Sequence, residues 1–132
     1  MGLSKLCYGA AGGLSLLGAA AHELVGAPLV LGPLAGSGLP PEVIWLHHFS
    51  WHVGTIAVLA MAAMFAAAIW HPAGAVLAGI ASAMSAGFAA LGISLAMFGD
   101  SVLWTTPAPY PWTLVALVGA AGVLLGKRRR RI

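Results

Sequence analysis

The sequence predicts an all-α protein, an integral membrane four-helix bundle with four transmembrane helices and both termini cytoplasmic. Three observations carry this expectation. Of 132 residues, 61% are apolar and only 7% are charged, against roughly 25% charge in a soluble domain. The apolar residues fall into continuous Ala-rich runs rather than strict alternation, a pattern that fits helices and not barrel strands. All six basic residues, Lys5, Lys127 and Arg128 to Arg131, lie towards the chain ends. Cytoplasmic segments carry the excess of Lys and Arg, so both ends are expected inside and the number of crossings is expected to be even.

A bilayer core about 30 Å thick takes roughly 20 helical residues to cross. The spans are read at residues 6–25, 44–70, 73–98 and 105–126, with a basic tail at 127–132. The first starts after Lys5 and is expected to stop where Gly26 and Pro28 interrupt it, because proline lacks an N–H and clashes with the preceding turn. Ala19-Ala20-Ala21 imitates a leader-cleavage site, yet the charge balance favours a retained span. Pro40-Pro41 ends the first loop. His71-Pro72 marks a tight cytoplasmic turn into the third. Pro107, Pro109 and Pro111 mark the outer loop before the fourth, and the tail anchors that span at the inner face. Trp45, Trp51, Trp104, Tyr110 and Trp112 fall near the outer interface, and Tyr8 and Trp70 near the inner one, as interfacial aromatics do.

Composition excludes several classes. A lone Cys7 leaves no internal disulfide and no thiolate cluster. No phosphate-binding glycine loop follows a strand pattern. One short basic tail without a folded basic surface argues against nucleic acid. The lipid bilayer is therefore the expected partner. Small residues recur at helical spacing in Gly79, Ala83 and Gly87, in Gly74, Ala78 and Ser82, and in Gly119, Gly122 and Gly126. Such rows allow close helix approach. They are read chiefly as packing within the chain, with a face left for a homo-oligomer or a larger membrane complex.

Four of the five histidines and all three acidic residues gather at one membrane face, and only His71 lies on the inner side. His22 and Glu23 close the first span, His47, His48 and His52 lie in the outer part of the second, and Asp100 closes the third. His48 and His52 stand one turn apart on one helix face, which Trp45 and Thr55 approximately share. Ser15 and Gly18 give His22 a small-residue face for close approach. His22, Glu23, His48, His52 and Asp100 are thus the candidate metal ligands, because imidazoles with a carboxylate suit Zn, Cu or Fe. A b-type haem held by His22 with His48 or His52 is a form of the same expectation, and no CxxCH is present for covalent attachment. Imidazole and indole also sit comfortably at an interface for structural reasons alone. Met61, Met64, Met84 and Met97 are soft-ligand candidates whose spread favours core packing.

The segment Ala20-Ala21-His22-Glu23-Leu24-Val25-Gly26 resembles the glutamate-bearing first helix of small multidrug transporters. The likeness covers seven residues and places Glu23 nearer the outer end, so no function is carried over. The expected function is a multi-pass protein of a bacterial inner membrane that binds a transition metal or haem for transfer, transport or electron chemistry. Two alternatives stand beside it, a non-catalytic accessory subunit and a small oligomeric transporter or pH sensor. No catalytic residue is assigned: Ser50 with His47 or His52 is too local for a triad, and nothing selects a substrate.

Overall fold

The computed structural model describes residues 2–129. Among the described residues the chain is all-helical, with four long helices. Helix α1 runs from Leu3 to Gly36, α2 from Pro41 to Ala68, α3 from Gly74 to Phe98, and α4 from Pro111 to Arg129. A short 3-10 helix, Ser101–Thr105, lies between α3 and α4. Helices α1, α2 and α3 are long and apolar enough to cross a membrane, while the apolar part of α4, Pro111–Lys127, is shorter. Each helix packs on its neighbours in sequence, and α4 returns against α1, which closes a four-membered ring.

The interior is built from small residues around a few large ones. Tyr8, Ala11, Ser15 and Ala19 recur every three or four positions on α1, and Val58, Met61, Phe65 and Ala68 do so on α2. They meet Ala78, Ala81, Ser82, Ser85 and Ala89 of α3 and Val115 of α4. The buried hydroxyls of Ser15, Ser82 and Ser85 each donate to the carbonyl four residues back, so they leave no unmet donor. Met61 and Phe65 are fully buried, and Met64 and Met84 pack against the same core.

The small-residue rows separate into two kinds. A Cβ added at Gly119 would collide with the Ser82 hydroxyl and sit 2.7 Å from Phe65, and one at Gly122 would sit 2.7 Å from Tyr8. These glycines bring α4 against α3, α2 and α1. Gly79 and Gly87 have nothing within 4 Å of the corresponding position, so their row faces outward from the bundle.

Two boundaries differ from the sequence expectation. The first helix does not end at residue 25. It passes through a π-helical turn, His22–Gly26, then an α segment, Ala27–Leu31, and a 3-10 turn, Gly32–Gly36. The Ala27 N–H reaches back to the His22 carbonyl, five residues away. This wide turn lies immediately before Pro28 and accommodates its ring and missing donor without a break. The true reversal is 37–40, where Gly38 takes a positive φ of 70°, a conformation open to glycine at no steric cost. The fourth helix begins at Pro111 and not at residue 105. Prolines at 107 and 109 cannot donate helical bonds, whereas Pro111 takes a first-turn position where no donor is required.

Candidate functional site

The polar cluster forms where the π turn of α1 meets the middle of α2. Winding through i→i+5 bonds puts more residues in a turn, which narrows the angle between consecutive side chains. His22 and Glu23 therefore both face α2, although they are adjacent in sequence. On α2, Trp51, His52 and Thr55 occupy the opposing surface at one-turn spacing.

Glu23 is the hub. The Thr55 hydroxyl donates to Glu23 Oε1 in a short hydrogen bond. His52 Nδ1 lies 3.1 Å from the same oxygen. His22 Nδ1 lies 2.9 Å from Thr55 Oγ1. Thr55 has one proton, and it goes to the carboxylate. The Thr55 oxygen must then accept, which makes His22 Nδ1 the donor. His52 Nδ1 likewise donates to the ionised carboxylate. In the neutral imidazoles both protons are thus assigned to Nδ1, and both Nε2 atoms keep a lone pair.

Aromatic contacts hold the cluster in place. The His22 ring stacks on Trp51, with centroids 3.9 Å apart and planes 11° from parallel. Gly26, at the end of the π turn, leaves room for that indole, since a Cβ there would come within 2.9 Å of Trp51. The Trp51 indole N–H is buried without an acceptor among the described residues. Leaving such a donor unmet costs about 1–3 kcal/mol, a cost that the Trp51 stacking must offset.

Of the expected ligands, His22, Glu23 and His52 come together. His48 stands beside His52, with ring centroids 6.4 Å apart, and also meets Trp45 at 5.2 Å. His48 makes no bond to Glu23. Asp100 does not join the cluster. Its carboxylate accepts from the Val102 N–H at 2.9 Å and caps the 3-10 helix. It follows α3, which sits across the ring from α1. His47 bonds within its own helix to the Val43 carbonyl. Among the described residues, no group of three or more His, Cys, Asp and Glu side chains is arranged to hold a metal ion. The five expected ligands are therefore not gathered into one group: His22 and His52 are linked through Glu23 and Thr55, and Asp100 lies apart.

Thr55 and Trp51 belong to the cluster, although neither is among the expected ligands. Thr55 follows His52 by three positions and His48 by seven, so its shared face was visible. Its bridging role depends on α1 approaching α2 at this level. Trp51 follows His47 by four positions on α2, and its ring partner is His22 across the helix interface.

The fold and cluster define an apolar helical bundle with a hydrogen-bonded His–Thr–Glu–His site between its first two helices. Comparison with known proteins returns no matching family model, curated protein or solved structure.

Proposed function

We propose that the chain is a four-span protein of a bacterial inner membrane with both termini cytoplasmic. Its function rests on His22 and His52, which present Nε2 to a transition metal, as an ion or as haem iron, at the outer membrane face. The observation that carries this reading is the shared use of Glu23. It accepts a hydrogen bond from His52 Nδ1 directly, and it accepts one from the Thr55 hydroxyl, whose oxygen in turn accepts from His22 Nδ1. A carboxylate behind an imidazole fixes the ring, selects the tautomer and raises the basicity of the ligating nitrogen. Two such imidazoles leave coordination positions for a cargo ligand, a partner or the macrocycle, which suits transfer or electron chemistry rather than a closed structural site.

Helix lengths support the placement. The π turn begins 19 residues after Leu3, a rise of about 28 Å. That is close to the thickness of the hydrocarbon core, so a helix entering at Leu3 brings His22 to the opposite edge. The apolar part of α4 spans 111–127 and lies at the short end of the range that crosses a bilayer. The basic tail favours its cytoplasmic end.

Metal analysis and an absorption spectrum on gently purified protein, before and after adding Zn, Cu, Fe or haem, test the reading. One equivalent of metal or haem is expected at His22 and His52, and His22→Ala and His52→Ala each abolish it. Failure to bind any of these additions overturns the metal reading. A pH-dependent change in the cluster without bound metal then favours proton sensing.

A further inference from the structure

At the end of the bundle away from Glu23, the helix termini enclose a second site. A cleft of about 390 Å³ opens between the start of α1, the α2–α3 turn and the end of α4. Lys5 lines it from α1 and Lys127 from α4, while Ile69, Trp70 and His71 line it from the turn. Three acidic residues occur in the sequence, Glu23, Glu42 and Asp100, and none borders the cleft. Among the described residues neither lysine is paired with a carboxylate.

The neutral donors agree with the charge. His71 Nδ1 accepts from the Ala73 N–H at 3.1 Å, so a neutral His71 carries its proton on Nε2 as a donor. The remaining wall is apolar. Ile69 is half-buried and Trp70 is 77% exposed, so an indole stands beside the charged groups. Two cations, a donor and an apolar wall with tryptophan match the boundary between a phosphate and its acyl chains. Basic pockets between membrane helices bind anionic headgroups in this way.

We propose that this cleft is a binding site for an anionic phospholipid. Lys5 and Lys127 clasp the phosphodiester, His71 donates to it, and Ile69 and Trp70 border the glycerol and upper acyl chains. The site rests on the membrane-spanning part of the proposed function and not on the imidazole pair.

The test uses the full chain in neutral detergent, with binding of dioctanoyl phosphatidylglycerol read by native mass spectrometry. Dioctanoyl phosphatidylcholine and glycerol 3-phosphate are the comparison ligands. The anionic lipid is expected to bind at least ten-fold more tightly than either. Lys5→Gln with Lys127→Gln should weaken it about thirty-fold, since each cation near the surface contributes comparably. Lys5→Arg with Lys127→Arg should retain it, and helicity by circular dichroism confirms that each variant folds. Changing Arg128 to Arg131 to Gln should leave the preference in place. Equal binding of the two lipids, an unaffected Lys→Gln pair, or loss of preference with the arginine tail alone overturns the proposal. Glycerol 3-phosphate binding as tightly as the lipid also overturns it, because the ligand is then a soluble phosphate. His22→Ala with His52→Ala should not change lipid binding, so the two sites fail separately.

Discussion

His22 and Trp51 lie face to face across the α1–α2 interface, with ring centroids 3.9 Å apart and an interplanar angle of 11°. An imidazole held this way reports its charge to the indole. Imidazolium attracts the ring face and quenches the excited indole by accepting an electron. Emission is therefore expected to fall on acidification as His22 gains a proton. The part of the pH-dependent change that comes from this pair should be lost in Trp51→Phe and in His22→Gln, leaving any contribution from Trp45 beside His48. Steady-state fluorescence of those variants beside the unaltered chain is the measurement, and a full titration persisting in both variants would contradict the stack.

The stack depends on Gly26. A methyl group there would come within 2.9 Å of Trp51, so the indole must shift. Gly26→Ala is expected to lose about 1–3 kcal/mol, the usual range for overpacking, and to lose that pair's pH-dependent emission as well. Denaturant or thermal unfolding in detergent, paired with the fluorescence titration, checks both effects.

Thr55 both accepts and donates in the cluster. Thr55→Val removes the bridge at nearly constant shape, whereas Thr55→Ser keeps it. The valine variant is expected to bind metal about 10–100-fold more weakly, the range for loss of an orienting partner behind a ligand. The serine variant should bind nearly as the unaltered chain does. Equilibrium titration with Zn or Cu distinguishes them, and equal weakening in both would assign the effect to packing.

Glycine substitutions should divide by face. Gly119→Ala places a methyl group 2.7 Å from Phe65 and should cost about 1–3 kcal/mol. Gly79→Ala and Gly87→Ala meet nothing within 4 Å and should be neutral or stabilising by up to about 1 kcal/mol, the helix-propensity gain. Thermal unfolding of the three variants tests whether the close helix contacts lie where the bundle places them.

Topology is open to a direct measurement. With Cys7 replaced by alanine, cysteines introduced at Ser37 and Thr105 are expected to react with an impermeant thiol reagent from the outside of intact cells. One introduced at Pro72 should react only after lysis. The reverse pattern would invert the proposed orientation.

Much of the helical plan was legible because its signals are local. Continuous apolar runs, Pro40-Pro41 at the end of the first loop and the His71-Pro72 turn act within a few residues of themselves. Pro28 was less legible, because whether a proline breaks a helix or is absorbed depends on the turn before it. At His22–Gly26 that turn widens, and the helix continues to Gly36.

The candidate site divides in the same way. That His48 and His52 share a face follows from helical period alone, and the adjacency of His22 to Glu23 is covalent. Which of these groups meet is decided by the helix pairing. Helix α1 contacts α2 and α4, while α3 lies across the ring, so Glu23 reaches His52 and Thr55 and Asp100 instead caps its own 3-10 turn. Composition and period alone determined a long-helix, apolar chain with its basic residues at the ends and four of its five histidines towards one level. The tertiary structure decided which polar atoms share a proton, because hydrogen bonds act over about 3 Å and that distance is set by packing between helices.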